Sequence, residues 1–173
     1  MEIIEYGMLT LGEKVRVSDP CYDSDVWCAC TLENMLPGKY KATALLVDTD
    51  DWGVRVAQLM ICHEDYVNRN MPLGCITNKI GVDAGMCGFW DYDRFKAVKE
   101  DESRRKAGNS RYTSPFAEEW MHELTENQQQ GGILKDGWGV ASRSGYGDGC
   151  YGLYAARNRD DKVVVAIIDY DVD

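Results

Sequence analysis

The sequence predicts an α+β protein: mainly antiparallel β-sheet, sandwich-like or strongly twisted, with one or two helices inserted between its halves. Three observations predict it. Alternating or β-branched apolar segments dominate both the first and the last third of the chain. One stretch between them combines a four-residue apolar repeat with a helix-start signal. No internal repeat or shift in composition divides the 173 residues, so a single domain over 1–173 is expected.

The elements follow in order. Glu13-Lys14-Val15-Arg16-Val17-Ser18 alternates polar and apolar, as a half-buried strand does. Pro37-Gly38 sets a turn that feeds a strand over 39–47. A second strand, 54–62, returns from it across Asp48-Thr49-Asp50-Asp51-Trp52-Gly53, a hairpin loop by composition. A short helix is expected over 92–99, and the polar segment 100–112, with Ala107-Gly108-Asn109-Ser110, as a mobile loop. The stronger helix begins at Ser114, which can cap it, with Pro115 at the first helical position and Glu118 and Glu119 near the positive end. Phe116, Trp120 and Leu124, flanked by Ala117 and Met121, give that helix one core-facing stripe. Gln128-Gln129-Gln130-Gly131-Gly132 punctuates its end. Segments 138–144, 151–157 and 162–170 read as a meander, its last turn being Asn158-Arg159-Asp160-Asp161. Residues 163–168 are unbroken apolar and β-branched, which places them centrally, covered on both faces.

Charge and cysteine use exclude several functions. Lys and Arg number 19 against 29 Asp and Glu, a net charge of −10 that opposes binding to a nucleic-acid backbone or an anionic membrane. The longest apolar run, 163–168, is too short to span a bilayer, and Glu2 and Glu5 stand where a signal peptide would be basic. A cytoplasmic location is expected. An odd seven cysteines (Cys21, Cys28, Cys30, Cys62, Cys75, Cys87, Cys150) suits reduced, buried thiols. The closest pair, Cys28-Ala29-Cys30, lacks zinc-ligand spacing, so neither a metal nor another cofactor is expected.

No catalytic or nucleotide motif is spelled out in full. A calcium loop starting at Asp48 would need oxygen ligands at Trp52 and Leu59. His63-Glu64 opens like a zincin helix, but no second His follows at the required spacing. With only His63 and His122 in the chain, His-based catalysis has little material, and a Cys21–His122 pair stays open. Gly145-Tyr146-Gly147-Asp148-Gly149 is neither a Walker loop nor a dinucleotide fingerprint. It admits two readings: a tight connection that needs positive φ, or a turn stripped of bulk so that a ligand can approach Asp148, with Tyr146 and Tyr151 nearby. Asp19 in Ser18-Asp19-Pro20-Cys21-Tyr22, Asp83 in Gly81-Val82-Asp83-Ala84-Gly85, and Asp91 after Gly88-Phe89-Trp90 also sit at element ends. Candidate ligand-binding residues are therefore Asp19, Tyr22, Asp83, Asp91, Ser144, Tyr146, Asp148 and Tyr151. Each Asp could equally cap backbone amides of its own turn.

Four segments carry a family resemblance: Ser18-Asp19-Pro20-Cys21-Tyr22; Leu36-Pro37-Gly38-Lys39-Tyr40; Val82-Asp83-Ala84-Gly85 with Phe89 and Asp91; and Ser142 to Tyr151. In that order the chain resembles an uncharacterised bacterial family, domain of unknown function number 4241. The ending Ile167-Ile168-Asp169-Tyr170 is also similar to the family's. The resemblance implies one complete domain and supplies no activity; its overlap with the Asp turns favours a shared site at Asp19, Asp83 and Asp148.

Three functions fit these residues. The first is a binding or interaction protein that recognises a small polar ligand or a protein partner through the Asp- and Gly-bearing turns at one end of the sheet. The second is an acidic inhibitor that blocks a basic protein surface. The third is a carboxylate-based hydrolase, with or without a metal, which needs Asp19, Asp83 and Asp148 at a common point. The sequence ranks binding first, favours a non-enzyme, and leaves oligomeric state open.

Overall fold

The structure, a computed structural model, describes residues 1–23, 25–109, 124 and 127–172. Its strands are β1 (Glu2–Leu11), β2 (Val15–Ser18), β3 (Cys30–Leu32), β4 (Gly38–Asp48), β5 (Val54–His63), β6 (Gly74–Val82), β7 (Met86–Asp91), β8 (Gly131–Ile133), β9 (Gly139–Arg143), β10 (Gly149–Arg157) and β11 (Val163–Asp169). One helix, α1 (Tyr92–Gly108), follows β7.

The strands form two antiparallel sheets, a six-stranded one in the order β1-β4-β5-β11-β10-β6 and a five-stranded one in the order β3-β2-β7-β9-β8. Their facing sides share one core. Tyr40, Leu59, Ile61, Leu153 and Ile168 come from the larger sheet, and Val15, Val17, Phe89 and Val140 from the smaller. The expected α+β sandwich is thus the observed architecture, and β11 lies inside the larger sheet with Val163, Ala166 and Ile168 toward this core and Val164 and Val165 in a second cluster.

Alternation along β7 shows how the smaller sheet serves two layers. Cys87 and Phe89 join the inter-sheet core, whereas Met86 and Trp90 face outward into a cluster with Phe95, Leu134, Trp138 and Leu124. Trp90 donates its indole N–H to the Ser18 carbonyl at 3.2 Å and stacks on Phe95 of α1 at 6.1 Å. Its ring lies against two glycines: a Cβ at Gly88 or Gly139 would come within 2.6 Å of Trp90 atoms. The helix therefore caps the outer face of the smaller sheet through aromatic packing.

The structure corrects the sequence reading in three places. Helix α1 runs on to Gly108, so the loop expected over 100–112 is helical through Gly108. Polar composition misled there, because the polar residues pair along the helix: Arg105 with Asp101 at 2.7 Å and Lys99 with Glu102 at 3.4 Å. The meander is divided. β10 and β11 form the expected hairpin, but β9 pairs with β7 and β8 in the other sheet. Strands β1, β3, β6, β7 and β8 were not expected. Gly7, at φ 116, interrupts the alternation of β1 with a bulge, and most of β6 is exposed. The helix expected from Ser114 is a separate matter: it lies outside the described residues, apart from Leu124, which is buried in the cluster that holds Trp90 and Trp138.

Candidate functional site

Asp19 follows β2, and its buried carboxylate gathers backbone amides, with the Cys21 thiol beside it. Its Oδ1 accepts from Cys21 N–H at 2.7 Å, and its Oδ2 accepts from Asp83 N–H at 2.8 Å and Ala84 N–H at 2.7 Å. The next amide, Gly85 N–H, donates to Asp148 Oδ1 at 3.1 Å. Three successive amides of the β6–β7 turn are thus held by two carboxylates from distant parts of the chain. Tyr22 closes the same turn, donating its hydroxyl to Asp83 Oδ2 at 2.7 Å.

The glycine segment folds back beside this turn. Ser144 N–H donates to the Gly85 carbonyl at 3.0 Å, and Ser144 Oγ and Gly147 N–H close a loop from 144 to 147 with contacts of 2.7 Å each. The Tyr151 hydroxyl lies 2.7 Å from the Gly147 carbonyl and 3.1 Å from that of Ser144. Gly145 and Gly147 sit at φ 51 and 119, and a Cβ at Gly145 would stand 2.8 Å from Val172 Cγ2. Tyr146 is exposed and meets the exposed Trp52 of the β4–β5 loop edge-on at 6.3 Å.

Asp19, Tyr22, Asp83, Ser144, Tyr146, Asp148 and Tyr151 therefore share one end of the molecule. Asp91 does not. It stands at the other end of β7, where its carboxylate accepts from Arg94 N–H at 3.2 Å, capping α1, and from Gly12 N–H at 3.0 Å. A cavity of about 360 Å³ opens at the shared end, lined by Arg55, Ala84, Gly85, Met86, Arg143, Gly145, Tyr146 and Gly147. Arg55 and Arg143 went unnoticed in the sequence. Each is a single arginine near a strand end, and only the packing of one sheet on the other brings β5 and β9 to one place.

Burial keeps the phenols and the nearby thiol at this end in their protonated forms. Burial, and then the hydrogen bond to Asp83, push the Tyr22 hydroxyl well above its usual value, and burial raises Tyr151. Burial, reinforced by Asp19, also raises the Cys21 thiol, the reverse of what a thiolate nucleophile needs. His122, the other half of the Cys21 pair, lies outside the described residues. Among the described residues no three His, Cys, Asp or Glu side chains group as metal ligands. The Asp19 carboxylate, fully buried on three amides, is not open to a substrate.

Residues 12–168 match the profile of a family described as protein of unknown function (DUF4241). The chain belongs to that family. The matched span takes in both Asp-bearing turns, the glycine loop and both arginines, and begins just after β1. No curated protein and no solved structure matches the chain. Among the described residues no helix is long and apolar enough to cross a membrane.

Proposed function

We propose that this is a binding protein that takes a small polar ligand in the cavity between the β6–β7 turn and the glycine loop. One observation carries the reading: two turns 60 residues apart in sequence, clamped to each other through Asp148 and Ser144, line a single open cavity of about 360 Å³. The cross-links fix the walls before any ligand arrives, which lowers the ordering cost of binding. Glycines at 85, 145 and 147 keep side chains off those walls, so that backbone is within reach of a ligand.

The exposed pair Trp52 and Tyr146 on the rim favours a protein partner at the same turns as the second reading. The test is a screen of small polar molecules by thermal shift on the wild type and on Asp148→Ala. Asp148 is exposed and gives the clamp one bond, so the variant should fold, show a Tm within a few degrees of the wild type, and bind more weakly. Undiminished affinity in Asp148→Ala at unchanged stability sinks the proposed site.

A further inference from the structure

We infer that the ligand of this cavity is an oxyanion, a carboxylate or phosphate group, held by Arg55 and Arg143; this rests on the reading of the cavity as a ligand site. The chain is acidic overall, with 29 Asp and Glu against 19 Lys and Arg, yet this cavity is lined by two arginines and by no Asp or Glu. Arg55 is the decisive residue. It is half-buried, its Nε is buried without a hydrogen-bond partner, and it forms no ion pair among the described residues. A half-buried guanidinium without a counter-ion carries a desolvation cost, and an oxyanion in the cavity that Arg55 lines would offset it.

The fold fixes both arginines. Gln130, held at φ 56, donates its side-chain amide to the Val54 carbonyl at 2.8 Å, and its own carbonyl accepts from Arg143 N–H at 2.8 Å. One residue thus ties the start of β5 to the end of β9, from two different sheets, next to both arginine positions. The planar guanidinium fork matches a carboxylate or phosphate through two parallel N–H···O bonds, so arginine suits this role better than lysine. Tyr146 lines the same cavity and Trp52 stands edge-on to it, so an anion that carries a flat ring has an aromatic surface beside its charged end.

The experiment is an amide and arginine-Nε NMR titration of the full chain with four probes: inorganic phosphate, phenyl phosphate, benzoate and neutral benzyl alcohol. The inference expects phenyl phosphate or benzoate to move the Gly85, Gly145 and Gly147 amides and the Arg55 Nε–H signal. Stronger shifts with phenyl phosphate assign a phosphate ligand, and stronger shifts with benzoate a carboxylate. Arg55→Gln should weaken that binding about tenfold or more, with Arg55→Lys intermediate. If Arg55→Gln loses spectral dispersion, the wild type still decides, since raising salt from 0.05 to 0.5 M should weaken binding of the anions and not of benzyl alcohol. Shifts at these amides with benzyl alcohol and none with the anions would overturn the oxyanion assignment while keeping the cavity as a ligand site. No shift with any probe would overturn the oxyanion assignment, and a failed polar screen would then remove the site itself.

Discussion

At the level of single residues, the aspartates that look alike in sequence do different work. Asp19 is fully buried and its carboxylate answers three amides, whereas Asp148 is exposed and answers one. Asp19→Ala should therefore destabilise the protein by about 3 kcal/mol or more, and Asp148→Ala by about 1 kcal/mol, in urea unfolding. Equal losses would contradict the division of roles. Gly88→Ala should cost about 2–3 kcal/mol, because the new Cβ would lie 2.5 Å from both Ala141 Cβ and the Val140 carbonyl. Differential scanning calorimetry checks it; a Tm unchanged in that variant refutes the packing. The thiols separate in the same way. Alkylation at neutral pH should label exposed Cys75 and Cys150 first and Cys87 last, since Cys87 is buried and its thiol is pushed up by burial. That Asp19 and Asp148 sit at element ends was legible from their turns. Capping within its own turn was a reading the sequence left open, and Cys21 N–H fulfils it; the two further amides that Asp19 holds were not legible, because they lie 64 and 65 residues away.

Among the elements, local signals decided which were visible. β2, β4, β5 and β11 carry plain alternation or β-branched runs and were legible. β7 was not, because Met86-Cys87-Gly88-Phe89-Trp90 serves a core on each face and so shows no polar beat. The C-terminal half of α1 was hidden for the opposite reason, its polar surface being paired along the helix. Its stability then rests on Phe95 against Trp90. Phe95→Ala should cost about 3–4 kcal/mol, whereas Asp101→Ala should cost about 0.5 kcal/mol or less, both by chemical denaturation. A larger loss from Asp101→Ala would assign the helix to its ion pairs instead.

For the whole molecule, the two sheets enclose phenols and a thiol that hold their protons to higher pH when it is folded than when it is unfolded. Burial raises Cys87 above its ordinary 9.0 and Tyr40 and Tyr170 above their ordinary 10.0. The unfolded chain releases these protons first as pH rises, so this contribution is complete below pH 9 and is lost progressively above it. The urea midpoint should fall steeply between pH 9 and 11; a flat midpoint across that window contradicts the burial.

The architecture was legible because patterning sets layers. The cavity was not, because it is assembled by pairings between strands far apart in the chain. The central claim is that those pairings build a ligand site, and native mass spectrometry tests it most directly. Gently purified wild type, Asp148→Ala and Arg55→Gln would be incubated with the small-molecule fraction of the protein's own cells. The account predicts a small organic adduct on the wild type that is reduced or lost in both variants while their folded charge distributions are unchanged. A bare wild-type protomer, or an adduct that both variants retain in full, contradicts it.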